Sequence, residues 1–200
     1  MDEIRPGVFH WKALHPRIRT EVGSYYVEDA ATLIDPMLPP EGLEWFRGRA
    51  EPERIVLTNR HHYRQSDELR AGFGCPVLCN EHGLHEFEGG PAVEGFRFGE
   101  KLAPQITALE VGAICPEETA LRIDLHEGML SFADGLVNYG GLRFVSDRLL
   151  GDDPDEVKRG LRDSLRRLLD DDFEVLLFAH GEPVRDGGKE ALREFLEAGE

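Results

Sequence analysis

The stretch "VLTNRHHYRQSDEL", residues 56–69, poses the question that decides the fold. An apolar run ends in Thr58, and two adjacent histidines, His61 and His62, follow with Asn59, Arg60, Tyr63 and Arg64 crowded around them. A short β-branched run of this kind reads as a buried strand, so the histidines open a loop at a strand end. Imidazole is a common metal ligand, whereas a guanidinium carries a permanent charge and has no lone pair to offer. The loop is therefore a metal-binding rim, the remnant of one, or a polar turn.

Outward from that loop, short strands and helices alternate. "SYYV" (24–27) and "ATLIDP" (31–36) flank Glu28-Asp29, which suits a hairpin, and "EGLEWFRGRA" after Pro39-Pro40 reads as a short helix. "SDELRAGFG" and "EHGLHEF" read as further short helices, with "CPVLCN" a strand between them. "GFRF", "QITALEV", "TALRIDL" and "GMLSFADG" are strands, the last two joined by a hairpin at Glu127-Gly128. Asp153, Pro154 and Glu156 form a helix start, and Val157, Leu161, Leu165, Leu168 and Leu169 share one face of that helix. "FEVLLFAHG" (173–181) is a buried strand, and "GKEALREFLEAG" closes the chain as an amphipathic helix. The pattern indicates a layered α/β protein, a class that places its chemistry at strand ends.

The chain has 200 residues, 40% hydrophobic and 31% charged, without repeats or linkers, and reads as one domain over 1–200. No apolar stretch approaches the roughly 18–20 residues that span a bilayer. "MDEIRPGVFHWK" lacks the basic start and apolar core of a secretory signal. Cys75, Cys79 and Cys115 cannot all pair, so reduced thiols and a cytoplasmic location are expected. A formal net charge of −16 argues against sequence-independent nucleic-acid binding and against an anionic membrane partner. A small-molecule substrate or ligand remains, and Arg60 with Arg64 suits an anionic one.

Three strand ends carry candidate ligands: His61 after "IVLT", Asp134 after "MLSFA" and His180 after "VLLFA". From separate strands they could project into one shared cleft, and histidine with carboxylate is a usual ligand set for zinc, iron or manganese. Singly, each is more often a hydrogen-bonding residue than a ligand.

The order and spacing of five segments resemble the metallo-β-lactamase-fold hydrolases. "GVFHWKALHP…SYYV…ATLIDP" is similar to that family's first strands, and "IVLTNRHHYR" stands where the family has Thr followed by HxHxDH. "ICPEET" takes the place of its Pro-Gly-His-Thr segment, "MLSFADGLV" resembles the strand before the bridging aspartate, and "DSLRRLLDDDFEVLLFAHGEPV" resembles the helix–strand–His-Gly ending. The resemblance implies an α/β protein with a four-layer αββα sandwich and a site at one edge of the two sheets. It also implies hydrolysis by two metal ions.

The family's ligand positions fall on Asn59, His61, Tyr63, Arg64, Glu118, Asp134 and His180, and only His61, Asp134 and His180 keep the family's residue type. One subsite is left with Asp134 and His180 beside the fixed charge of Arg64, and is expected to be empty. The other offers His61, Glu118 and Asp134, with the Asn59 amide oxygen as a further donor. Two alternatives follow. In one, His61, Glu118, Asp134 and His180 supply the ligands of at most one Zn, Fe or Mn ion. Asp134 or His180 then acts as the proton acceptor in hydrolysis of a small ester, thioester, lactone or phosphodiester. In the other, no metal binds, these side chains and Arg64 form an ion-pair network, and the inactive cleft binds an anionic small molecule or protein partner through Arg60 and Arg64.

The remaining features have plain readings. His62, next to His61, points away on an extended strand and reads as a supporting or surface residue. His82 and His85 suit a solvated helix face, and Cys75 and Cys79 suit buried apolar positions. Cys115 would need a basic partner such as His61 or His180 to act as a nucleophile, and a buried thiol is the simpler reading. "DGGKEAL" lacks the spacing of a phosphate loop.

Overall fold

Runs rich in Val, Ile, Tyr and Phe pair into sheets in both halves of the chain, as expected of side chains that pack well on a pleated, half-buried surface. A computed structural model describes residues 1–199, and the chain forms two compact units, Met1–Arg97 and Phe98–Glu200. No linker marks the boundary near residue 97, and the sequence accordingly reads there as continuous. Both units are mixed α/β, the class expected.

The first unit carries one seven-stranded sheet whose spatial order follows the chain. Its strands are β1 (Asp2–Arg5), β2 (Val8–Leu14), β3 (Glu21–Val27), β4 (Thr32–Ile34), β5 (Arg54–Val56), β6 (Val77–Asn80) and β7 (Glu94–Phe96). From β1 to β4 the neighbours are antiparallel, and from β4 to β7 they are parallel. Parallel neighbours need crossovers. One of them contains helix α1 (Ser66–Phe73), stopped by Gly74 in the left-handed conformation. The crossovers leave three strand ends side by side, carrying the buried residues Asp35, Thr58 and Asn80. Phe9, Trp11, Tyr26, Leu33, Phe46, Ile55, Leu57 and Leu69 form the core. The expected helices "EGLEWFRGRA" and "EHGLHEF" are 3-10 turns, Gly42–Phe46 and Glu81–Phe87. Short segments with glycine inside them gain too little from α-helix propagation to offset its nucleation.

The second unit contains β8 (Lys101–Ala103), β9 (Ile106–Glu110), β10 (Thr119–Ile123), β11 (Met129–Phe132), β12 (Val137–Asn138), β13 (Leu142–Arg143), α2 (Pro154–Leu168), β14 (Val175–Phe178) and α3 (Gly188–Ala198). A five-stranded sheet has the order β14-β11-β10-β9-β8, and β12 pairs with β13 separately. Only the β11–β14 pair of that sheet is parallel. Helix α2 starts as its sequence predicts: the Asp153 carboxylate accepts from the Glu156 N–H at 2.9 Å. Its residues Leu161, Leu165 and Leu168 pack with Leu130, Phe132, Leu176 and Phe178, joined by Leu192 and Leu196 of α3. Among the described residues no helix is long and apolar enough to cross a membrane.

Candidate functional site

In the first unit the histidine loop is organised by one buried carboxylate. Asp35 follows β4 directly and is 1% exposed. Its Oδ1 accepts from the Thr58 backbone N–H at 2.8 Å, and its Oδ2 accepts from the Thr58 hydroxyl. The same Oδ2 lies 3.0 Å from Nδ1 of His62, itself buried. Burial alone would raise the Asp35 carboxyl. The His62 imidazole, its hydrogen bond, the Arg64 charge and the Thr58 hydroxyl together outweigh that and hold it below the usual range. Arg64, at φ +47°, turns its guanidinium back into the unit, where Nη1 donates to the carbonyls of Gly23 at 2.6 Å and Asp35 at 2.5 Å.

Asn59 decides which histidine is covered. Its side-chain oxygen accepts from the His61 N–H at 2.9 Å, so residues Arg60–Tyr63 close into a 3-10 turn instead of extending β5. The turn leaves His61 exposed and His62 buried, the reverse of the sides that an extended strand would give them. It also commits the Asn59 oxygen that the sequence offers as a metal donor. Arg60 Nε lies 3.9 Å from Glu86 Oε2. Tyr63 donates to Asp67 Oδ1 at 2.6 Å, and burial, with Asp67 beside it, pushes its hydroxyl up to about 12.

In the second unit strand register does the positioning. Strands β11 and β14 pair in parallel with Phe132 opposite Phe178, so Asp134 and His180, each two residues further on, leave the sheet side by side. His180 Nε2 lies 3.0 Å from Asp134 Oδ1. Glu118 holds the Asp134 turn: Oε1, on a residue 1% exposed, accepts from the backbone N–H groups of Asp134 at 2.9 Å and Gly135 at 2.7 Å. The Cys115 thiol is 3.8 Å from the other Glu118 oxygen. His180 is anchored through its main chain, whose carbonyl accepts from Asn138 N–H at 3.1 Å while Glu182 N–H donates to the Asn138 carbonyl at 2.9 Å. Tyr139, after β12, has its hydroxyl raised by partial burial and by Asp134, against an opposing effect of Arg143.

Of the residues singled out from sequence, Glu118, Asp134 and His180 stand together in the second unit. Arg60, His61 and Arg64 stand in the first, His61 outward and Arg64 bonded to carbonyl oxygens. A carboxylate and an imidazole suit zinc, iron or manganese, and the 3.0 Å between Asp134 Oδ1 and His180 Nε2 suits two donors of one ion. Glu118 suits an ion less well, because one oxygen already carries two backbone hydrogen bonds. The pair can also work without an ion, since a carboxylate that orients an imidazole makes a proton acceptor of it.

Two contributors escape the sequence reading. Asp35 is legible there only as part of the segment "ATLIDP", and His62 only as the outward neighbour of His61. The signal for both is local: an Asn two residues before a histidine caps a turn, and a turn breaks the in–out alternation of a strand.

No family model and no curated protein sequence matches the chain. Solved structures do. A metallo-β-lactamase family protein from Thermus thermophilus is similar at TM-score 0.69 and 18% identity, over 98% of this chain and 80% of that one. A Cronobacter sakazakii metallo-β-lactamase described by its HARLDQ motif is similar at TM-score 0.66 and 15% identity, over 98% and 89%. A protein solved in a di-iron-bound form is similar at TM-score 0.62 and 23% identity, over 91% of each chain.

Proposed function

The chain has the metallo-β-lactamase fold, and from that premise we propose that it is a hydrolase-like protein with a reduced site that binds at most one metal ion. The observation that carries the proposal is the Asp134–His180 pair at the ends of two parallel, in-register strands. Its donors suit Zn, Fe or Mn, and the di-iron form of one similar structure supports metal chemistry on this fold. An ion there would polarise a scissile carbonyl or phosphoryl group and acidify bound water. Asp134 or His180, through an atom not committed to the ion, is the residue to hold or pass a proton, and the substrate class is a small ester, thioester or phosphodiester. Arg60, held near Glu86, is the first unit's candidate to bind an anion. Three free cysteines among the described residues are compatible with a reducing, cytoplasmic setting.

The count of one rests on the donors already committed. Asn59 caps a turn, Glu118 holds backbone N–H groups, and Tyr63 donates to Asp67. The same commitments favour a second reading, a metal-free protein that binds an anionic small molecule. The test is metal content after reconstitution with Zn²⁺, Fe²⁺ and Mn²⁺ separately, together with hydrolysis of ester, thioester and phosphodiester substrates. About one equivalent, lost in Asp134→Asn and His180→Ala along with any hydrolysis, is the expected result. Two equivalents would overturn the reduced site, and no metal with no turnover would leave the second reading.

A further inference from the structure

The adjacent histidines His61 and His62 have sharply different surroundings in this loop. His62 is 4% exposed, and its Nδ1 lies 3.0 Å from the Asp35 carboxylate and 3.3 Å from the Thr58 hydroxyl. The Asp35 oxygens already accept two hydrogen bonds from Thr58, and Oδ2 faces His62 as an acceptor, so the hydrogen of that contact lies on Nδ1. A neutral imidazole protonated at Nδ1 carries its lone pair on Nε2. A carboxylate bonded behind the ring fixes that tautomer, fixes the ring plane and raises the basicity of Nε2, an arrangement typical of metal-bound histidine. His61 sits differently: the Asn59 side chain holds its backbone N–H, and its imidazole lies on the exposed side of the turn.

We propose that the imidazole this loop offers to a transition metal is His62, oriented by Asp35, and that His61 is not the ligand. The assignment rests on the reading that one ion binds. It names a different ligand from the one that residue order alone selects, because the Asn59 turn shifts the inward position by one residue. Asp35 acts through His62 and is a positioning residue.

The test compares Zn²⁺ affinity by calorimetry, and the visible spectrum of the Co²⁺ form, in the wild type and in His61→Ala, His62→Ala and His62→Asn. The asparagine amide can keep the hydrogen bond to Asp35 while removing Nε2, so His62→Asn separates loss of a ligand from loss of fold, with urea midpoints as the check. Both His62 variants are expected to weaken Zn²⁺ binding by more than about 10-fold and to shift the Co²⁺ bands, with His61→Ala within about 3-fold of wild type. Asp35→Asn is expected to weaken it by about 10- to 100-fold, the usual effect of removing such a partner. If His61→Ala abolishes binding and His62→Asn does not, the assignment fails. If neither histidine matters while Asp134→Asn and His180→Ala do, it fails and the one-ion reading stands. If the wild type takes up neither metal, both fall together.

Discussion

Asp35 is the residue on which the histidine loop depends, and its energetics give the first prediction. It accepts from a backbone N–H, a hydroxyl and an imidazole in a buried position. Asp35→Ala leaves those donors without an acceptor, and removing one partner of a buried pair costs about 3–5 kcal/mol. The pH dependence has a definite sign. The folded carboxyl lies below its unfolded value of about 3.9, so the unfolded chain binds the proton more readily and stability falls as the medium acidifies. The contribution is complete above the unfolded value and is lost as pH drops through the folded one. Urea unfolding should therefore show a wild-type advantage that narrows as pH drops below about 4. A gap that stays level or widens in acid would mean that another group supplies the effect.

At the scale of elements, the Asp134–His180 pair exists because β11 and β14 are parallel and in register, and because the chain turns sharply after each. The turn after His180 admits only glycine. Gly181 has φ +107°, and a Cβ there would lie 2.0 Å from the Asn138 carbonyl oxygen. Gly181→Ala is expected to destabilise by about 2–5 kcal/mol through backbone strain and overlap together. For a chain of this size that is a Tm drop of roughly 5–20 °C. Gly140→Ala is the control: φ is +82° but nothing lies within 4 Å of the added carbon. It should cost only the left-handed penalty of about 1–2 kcal/mol. Equal losses in a thermal scan would refute the steric argument. The sequence already points to this pair, since apolar runs ending in Asp and in His-Gly are local patterns. The histidine loop is harder to read, because a 3-10 turn capped by Asn59 overrides the strand alternation that would assign His61 and His62 their sides.

For the whole molecule, the fold is legible because it depends on the order of strand ends, and substitutions at ligand positions leave that order untouched. The chemistry is less legible because it depends on which donors are already bonded, and no spacing records that Glu118 is spent on the N–H groups of Asp134 and Gly135. Net charge, by contrast, is wholly legible. The chain has 39 acidic and 23 basic residues, so most carboxylates meet like charge at long range. Ion pairs such as Arg47–Glu44 and Arg97–Glu81 are exposed and worth about 0–1 kcal/mol each, too little to offset that repulsion. Raising NaCl from about 20 mM to about 300 mM shortens the screening length from roughly 20 Å to roughly 6 Å, which weakens repulsion between distant carboxylates more than attraction within pairs. Chloride salts avoid the surface exclusion by which sulfate stabilises proteins generally. Thermal unfolding at neutral pH should move up by about 2–4 °C for each kcal/mol gained. The gain should saturate once the screening length falls below the spacing of the carboxylates. A Tm that falls with added NaCl would show that the attractive pairs outweigh the acidic surplus.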